Sequence, residues 1–482
     1  MAPMDRPRRR LLTLRDVPHA LIAVLLAGAV LRIALSLEYG PAYATSYDTV
    51  LFLEMAGGEL FSDSTRPIGY PLFLRAVHAI SDQLELTIAI QHLLGLVTAA
   101  LMYGLVRRLE APSWAAVAVA AAVALPLDQI FLEHILRAEA PFSLALVAAL
   151  YASVRALEDP RVIKGPLTNR IVWLAAAGLA LGVCVWLRSM AVLLIPFLGL
   201  WLVFALPGPR APRFAGAAAA VATSSVVVIA YMALSSSYTG AFTVSEATGW
   251  ATYSRTAPFA DCSRFEPPAG TERLCETTPT DERPGPDFYG WQPGSPARIL
   301  YGGPPAGNDQ LSAFSVAAVL HQPLSYAKVV ARDLIRYYHP KFSPQDFSGY
   351  DYGELSVEIR LPEVEPSLNR SMNGYYADDE LHFGDGLEAL GAIQEIIRLH
   401  PKLLLIATLL ALIGVFLAKG RQRSGLVLLL GTSVLLLVIP PATAIWSSRY
   451  AIPAGGPLIA AGLLGLLLII NRRRDHPSEA SV

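Results

Sequence analysis

The sequence predicts an all-α membrane protein that crosses the bilayer about ten times. Of its 482 residues, 54% are hydrophobic and 16% are charged, whereas a soluble domain carries about 25% charged residues. Apolar runs close to the length that a helix needs to cross a bilayer recur along the chain. The predicted spans are 18–37, 86–107, 113–130, 139–156, 171–187, 190–206, 213–235, 401–418, 424–443 and 452–470.

The first apolar run follows a basic segment, which is also the pattern of a secretory signal. The run 18–37 is longer than a typical signal core and contains Arg32, although "PAYA" at 41–44 resembles a cleavage site. We therefore expect this segment to be retained as the first membrane helix.

Basic loops predict the orientation. They precede the first span and follow the second, fourth, sixth, eighth and last spans, as in "VRRLEAPS" and "NRRRD". Because cytoplasmic loops carry an excess of Lys and Arg, both termini are expected in the cytoplasm of a multi-pass plasma-membrane protein. This divides the chain into an N-terminal transmembrane module (1–236, with a first outer loop at 38–85), an extracytoplasmic loop domain (237–400), and C-terminal helices with a cytoplasmic tail (401–482).

The segment 237–400 is too long to be a simple connector. "NDQLSAFSVAAVL" and "LSYAKVVARDLIRYYH" have apolar residues at helical spacing and predict two helices at the membrane surface, separated by Pro323. The stretch 258–300 predicts irregular structure. Cys262 and Cys275 flank part of it, and an extracytoplasmic location favours a disulfide over two unpaired thiols.

Several function classes have no support in the sequence. It contains no P-loop, dinucleotide-binding glycine motif, HExxH or GxSxG pattern, and no internal repeat. The acidic run Asp378, Asp379, Glu380 and Asp385 could hold a cation, but a solvated acidic loop is the favoured interpretation. No metal and no cofactor are predicted, and nothing indicates nucleic-acid binding.

Ionisable residues from separate parts of the chain are instead predicted to meet at the outer membrane surface. They come from the first outer loop, the turn between the third and fourth spans, the turn of the hairpin around the fifth and sixth spans, and the start of the last span: Asp48, Arg66, Glu133, His134, Arg137, Glu139, Arg188 and Arg449. Because charges are costly within a membrane, their convergence indicates a water-accessible functional cavity.

The stretches "SYDTVLFLEMA", "RPIGYPLFL", "IQHLLGL", "ILRAEAPF" and "SSRYAIPAGGPLIA" occur in this order along the chain. Their order resembles that in GT-C superfamily membrane glycosyltransferases, nearest to the protein O-mannosyltransferases and the lipid A aminoarabinose transferase. The resemblance covers most spans but little of the large outer loop. The high Ala, Gly and Pro content resembles actinobacterial members.

That resemblance implies an inverting transfer of a hexosyl or pentosyl group from a polyprenyl-phosphate carrier to a cell-envelope acceptor. Asp48 would be the general base, and Glu139 a catalytic or acceptor-positioning residue. The expected substrate-binding residues, with arginines on the lipid phosphate, are Arg66, Tyr70, Arg188, Arg449 and Tyr450. The expected partners are the lipid-linked donor, the acceptor and the bilayer, with the oligomeric state open.

Each residue also has a plain structural alternative. Asp48 could cap a helix, Glu139 could offset a helix dipole, and Arg66 could extend to the headgroups. Arg188 and Arg449 could be isolated arginines of outer turns. The favoured interpretation is a local surface pair for Glu133 and Arg137, an interfacial position for His134, and membrane-interface aromatics for Tyr70 and Tyr450.

The sequence leaves two other function classes open. A transporter or lipid flippase would also gather ionisable groups in an outward-facing cavity, but would tend to place them near mid-membrane on broken helices. A catalytically inactive GT-C-like scaffold would keep the architecture without the reaction.

Overall fold

The computed structural model describes residues 18–42, 48–158, 170–339, 372, 374–377 and 382–475. Its N-terminal helices are α1 His19–Glu38, α2 Asp48–Gly57, α3 Gly69–His78, α4 Leu84–Arg108, α5 Ser113–Ala124, α6 Leu127–Glu133, α7 Glu139–Ala156, α8 Arg170–Leu187, α9 Leu194–Ala205 and α10 Arg210–Thr239. Those that follow are α11 Thr248–Thr256, α12 Pro286–Trp291, α13 Pro296–Tyr301, α14 Asn308–His321, α15 Pro323–Arg336, α16 Leu387–Ile396, α17 Pro401–Leu417, α18 Gly420–Thr443 and α19 Ala451–Asp475.

The protein is a polytopic membrane protein built from helices, as predicted. In the described residues, seven helices are long and apolar enough to cross a bilayer: His19–Glu38, Leu84–Arg108, Arg170–Leu187, Arg210–Thr239, Leu387–Leu417, Gly420–Thr443 and Ser448–Arg472. The bent pair α5 and α6 makes an eighth candidate. The other two predicted spans also form helices, α7 with 18 residues and the shorter apolar helix Ser189–Ala205.

The predicted span 113–130 is a bent pair of helices. The chain bends by 52° between α5 and α6, at Pro126. A proline lacks the N–H that would continue the helix and restricts the residue before it. The N–H of Leu127 instead donates to the carbonyl oxygen of Ile397 at 2.8 Å. This bend directs α6 and the turn that follows it toward the other charged elements.

Close packing of small residues joins two of the C-terminal helices. A Cβ atom added at Gly465 of α19 would collide with the backbone of Leu410 in α17. Gly414 of α17 lies against Gly465 in the same way. Small residues permit such close backbone approach, which stabilises helix pairs in a membrane through van der Waals contact.

The outer segment contains the two predicted helices as α14 and α15, with Pro323 at the first position of α15. Its small core includes Trp250, Tyr253 and Phe314. A disulfide joins Cys262 and Cys275, whose Cα atoms are 5.9 Å apart. The stretch 258–300 is less irregular than predicted, because it also contains α12 and most of α13. Asp378, Asp379 and Glu380 lie outside the described residues.

A short antiparallel strand pair connects the two outer parts of the chain. Strand β1 (Tyr39–Gly40) follows α1, and strand β2 (His382–Phe383) precedes α16. Tyr39 lies opposite Phe383, and the two rings pack edge to face with centroids 4.9 Å apart. The end of the first membrane helix is thereby attached to the last part of the outer segment.

Candidate active site

Asp48 is the centre of a cluster of arginines. At the start of α2, its Oδ1 atom accepts hydrogen bonds from Nη2 and Nε of Arg66, at 2.9 and 3.1 Å. Its Oδ2 atom lies 3.3 Å from Nη1 of Arg449 and 3.7 Å from Nη2 of Arg137. Three guanidinium groups from distant parts of the chain therefore surround one carboxylate, whose side chain keeps 22% of its surface exposed.

Glu139 lies at the first position of α7 and forms a second carboxylate centre. Its Oε1 atom lies 3.2 Å from Nη2 of Arg188 and 3.9 Å from Nε of Arg449. Arg449 thus faces both acids and joins the two centres. Glu139 is almost completely buried, while Arg188 keeps 14% of its side chain exposed.

Tyr450 packs against this arrangement. The guanidinium carbons of Arg188 and Arg449 lie 5.0 and 5.2 Å from the centroid of its ring. An aromatic face attracts such cations and keeps their planes in place. The position of Tyr450 between two site arginines differs from that of a membrane-interface aromatic, which faces lipid and water.

Tyr70 has a structural role at the site. Its side chain is fully buried, and its hydroxyl group donates to Oε1 of Gln91 at 2.8 Å. The amide nitrogen of Gln91 donates to the carbonyl oxygens of Glu133 and Ile135, at 2.7 and 2.9 Å. Tyr70 therefore holds the turn after α6 through Gln91, and in this structure it presents no surface to a substrate.

Gly69, the glycine of "RPIGYP", determines where Arg66 lies relative to Arg188. A Cβ atom at Gly69 would collide with the carbonyl group of Trp186, near the end of α8. Glycine therefore lets the start of α3 lie directly against the chain that leads into Arg188. This contact brings the loop with Arg66 and the turn with Arg188 to the same place.

The predicted surface pair of Glu133 and Arg137 is wrong. Arg137 turns toward Asp48, and Glu133 is fully buried with Arg32 of α1, at 2.7 and 2.9 Å between the paired atoms. The spacing of four residues suggested a pair on one helix face, but α6 ends at Glu133. Arg137 is not among the substrate-binding residues expected from the sequence, although it lies in "ILRAEAPF", one of the stretches that carry the resemblance.

His134 is buried and does not lie at a membrane interface. Its Nδ1 and Nε2 atoms lie 3.3 Å from Nε2 of His92 and 2.6 Å from the carbonyl oxygen of Tyr39. Nδ1 of His92 lies 3.2 Å from Oε2 of Glu133. Together with Arg32 these side chains form a buried polar network, which fixes the start of the turn that carries Arg137.

The charges of the site determine how Asp48 ionises. Burial by itself raises the pKa of the Asp48 carboxyl group, but the charges of Arg137, Arg66 and Arg449 outweigh it and hold the pKa well below its usual value. Asp63 also pairs with Arg66, at 2.9 Å. Four arginines thus face three carboxylates, and guanidinium groups outnumber carboxylates in this cluster, which favours an anionic ligand.

Among the described residues, no group of three or more His, Cys, Asp or Glu side chains is placed to hold a metal ion. The acids of the site are instead neutralised by arginines. The arrangement is suited to binding an oxyanion such as a phosphate, and its exposed carboxylate can accept a proton from a ligand.

Part of the chain is similar to a known protein family. Residues 65–236 match the family model described as dolichyl-phosphate-mannose-protein mannosyltransferase. Over these residues, which are about a third of its length, the chain is similar to that family. The matched region includes Arg66, Arg137, Glu139 and Arg188. No curated protein matches the sequence at a significant level.

Two solved structures are also similar to this chain. The oligosaccharyltransferase AglB from Archaeoglobus fulgidus, in complex with an inhibitory peptide and a dolichol-phosphate, matches with a TM-score of 0.43 and 13% identity over 96% of this chain and 52% of that chain. ArnT from Cupriavidus metallidurans bound to undecaprenyl phosphate matches with a TM-score of 0.35 and 14% identity. That match covers 95% of this chain and 78% of the ArnT chain. The chain thus spans about half the length of AglB. With TM-scores below 0.5, neither match assigns roles to residues here.

Proposed function

We propose that this protein transfers a sugar from a polyprenyl-phosphate carrier to a hydroxyl group of a cell-envelope acceptor, with inversion at the anomeric carbon. The observation that carries the proposal is the meeting of Asp48 and Glu139 with Arg66, Arg137, Arg188 and Arg449, which come from distant parts of the chain. The family match to enzymes described by a dolichyl-phosphate sugar supports it.

The arginines supply what the leaving group needs. When the bond between the anomeric carbon and the phosphate oxygen breaks, its electron pair remains on that oxygen and the phosphate gains one negative charge. Fixed guanidinium groups stabilise this developing charge, and their planar donors can bind two phosphate oxygens at once. Arg188 and Arg449 are suited to this role because Glu139 and Tyr450 hold them in position.

Asp48 supplies the base. The acceptor oxygen attacks the anomeric carbon while its proton passes to a carboxylate oxygen of Asp48, so that one O–C bond forms as another breaks. In the ligand-free arrangement the arginines weaken Asp48 as a base, because they lower its pKa. A donor phosphate that takes over Arg449 and Arg137 would raise that pKa and strengthen the base at the moment when the donor is present.

Contacts from the outer segment suggest where the acceptor enters. The hydroxyl group of Ser245 donates to the carbonyl oxygen of Thr65 at 2.7 Å, and the N–H of Glu246 donates to that of Ser64 at 3.1 Å. Trp291 of α12 lies beside Arg66, with 6.0 Å from the guanidinium carbon to the ring centroid. The outer segment therefore covers the loop of Arg66 and is the part that would meet an acceptor.

The proposal includes the orientation of the protein in the membrane. Both termini lie in the cytoplasm, and the site opens on the outer face of the plasma membrane, where cell-envelope acceptors are found. The basic loops are the support for this orientation. Labelling of single cysteines introduced at exposed outer-segment positions by an impermeant reagent tests it, because cytoplasmic positions would remain unlabelled in intact cells.

The decisive experiment uses the purified full-length protein in lipid nanodiscs with a panel of polyprenyl-phosphate sugars, including mannose and arabinofuranose, and a cell-envelope fraction. The expected result is release of polyprenyl phosphate coupled to sugar incorporation, with loss of both in Asp48→Asn. Arg264→Gln, which removes an exposed arginine of the outer segment, serves as the control and should leave the transfer rate unchanged.

The same protein reconstituted in sealed liposomes separates transfer from lipid transport. If fluorescent polyprenyl-phosphate sugar crosses the bilayer equally well with the wild type and Asp48→Asn, while no sugar reaches any acceptor, the protein is a transporter and the proposal is wrong. Tight donor binding without transfer across the whole panel would favour an inactive scaffold.

A further inference from the structure

A cavity of about 570 Å³ lies at the end of the helices opposite the arginine site. It is bounded by the end of α4, the start of α5, the start of α18 and the end of α19. The arginine site uses the start of the span Ser448–Arg472, whereas the cavity uses its last turns. A helix of 25 residues is about 37 Å long, so the two sites lie at opposite membrane surfaces.

One wall of this cavity is apolar. It is formed by side chains of α18 and α19, namely Leu426, Leu464, Leu467, Leu468 and Ile470. In a soluble protein such a wall would be covered by other parts of the chain. At a membrane surface this apolar wall continues into the hydrocarbon region, where an acyl chain can lie along it.

The rim of the cavity is polar, with one cationic, one acidic and two amide side chains. Arg107, Gln422 and Asn471 lie on it, with Glu110 as an acidic lining residue. The neighbours of two rim residues are also cationic, because exposed Arg423 follows Gln422 and exposed Arg472 follows Asn471. Cations and amide groups above an apolar wall match the phosphate and glycerol parts of a lipid headgroup.

Trp114 indicates the depth of the cavity in the membrane. It lines the cavity at the start of α5, and 58% of its surface is exposed. Tryptophan is enriched at the level of the headgroups, where its ring is apolar and its N–H can reach water. An exposed tryptophan beside an arginine therefore marks the boundary between headgroups and hydrocarbon.

We propose that this cavity binds an anionic phospholipid from the leaflet opposite the arginine site, with the headgroup phosphate at Arg107 and Gln422 and an acyl chain along the leucine wall. Its volume lies within the range of small-molecule sites, about 300–1,000 Å³. Arg107 on the rim and the exposed Arg423 and Arg472 beside it outnumber the acidic lining residue Glu110, which favours a negative headgroup over a zwitterionic one. This site is independent of the transfer reaction proposed above.

The test measures lipid binding to the full-length protein in detergent by native mass spectrometry, with phosphatidylglycerol and phosphatidylcholine added in turn. The wild type is expected to retain phosphatidylglycerol preferentially. Arg107→Gln should weaken its retention about fivefold, the effect of one cation near a membrane surface. Gln422→Glu, which keeps the side-chain shape and adds a negative charge, should weaken it at least as much.

Arg210→Gln is the matched control, because Arg210 is exposed at the start of α10, at the same membrane surface but outside the cavity lining. It should bind phosphatidylglycerol as the wild type does. Equal retention of both lipids by the wild type, or an equal loss in Arg210→Gln and Arg107→Gln, would overturn the proposal. Thermal unfolding of each variant without added lipid shows whether it is folded. If Arg107→Gln does not fold, the result for Gln422→Glu decides the test.

Discussion

Arg449 and Asp48 lie 401 positions apart in the sequence and face each other at 3.3 Å, from Nη1 to Oδ2. Nε of the same guanidinium group lies 3.9 Å from Oε1 of Glu139. A single side chain at the start of the last membrane helix therefore connects the proposed base to the second acid, and its loss would separate the two centres.

Replacing Arg449 with glutamine should lower the rate of sugar transfer by about 10²–10³-fold, the usual effect of removing a donor that stabilises developing negative charge. Arg449→Lys should restore only part of the rate, because lysine cannot face both acids with a planar group. Single-turnover measurements with a polyprenyl-phosphate sugar check this. An Arg449→Gln rate equal to that of Arg264→Gln would contradict it.

The ionisation of Asp48 predicts how stability depends on pH. Because folding lowers its pKa, the carboxylate stabilises the folded protein above its unfolded pKa of about 3.9, and this contribution is lost as the pH falls toward the folded pKa. The difference in melting temperature between the wild type and Asp48→Asn should be constant between about pH 5 and pH 8 and should diminish below about pH 4. A difference that changes across the neutral range would show that another group controls it.

The buried pair of Arg32 and Glu133 should be sensitive to removal of one partner. Glu133→Gln or Arg32→Met alone leaves an uncompensated buried charge and should lower the free energy of unfolding by about 3–5 kcal/mol. The double variant should lose less than the sum of the two single variants. Thermal unfolding of all four proteins measures this coupling, and simple additivity would show that the pair does not act as a unit.

Gly69 should tolerate no side chain. Gly69→Ala places a Cβ atom against the carbonyl group of Trp186, which must move α3 away from the end of α8. The transfer rate is expected to fall because Arg66 and Arg188 move apart. Gly294→Ala is the control, because its Cβ atom would lie 3.9 Å from the ring of Phe288, in ordinary contact. Equal activity of the two variants would show that the close approach is unimportant.

The sequence predicts the order of the apolar helices well, because the length that a bilayer requires of a helix is independent of the rest of the fold. It predicts the outer helices α14 and α15 for a similar reason, since their apolar spacing and Pro323 are local. The break at Pro126 was visible in the sequence, but the apolar run across it obscured the bend.

The site is harder to predict because its contacts join distant residues. Sequence order suggested that Glu133 and Arg137 form a pair, whereas the structure pairs each with a partner on another element. The connection of Tyr70 to Gln91 was equally hidden, because neither residue is unusual in its own segment. The assembly of charges at one place was predictable; which charge faces which was not.

The separation of Asp48 from Arg449 also has a consequence for biosynthesis. The ribosome makes the proposed base near the beginning of translation and its bridging cation only after some four hundred further residues have been added. An incompletely inserted nascent chain therefore cannot have the complete charge arrangement. Lipid-linked sugars in the surrounding membrane would be safe from premature hydrolysis or misdirected transfer until the last helix has entered the bilayer.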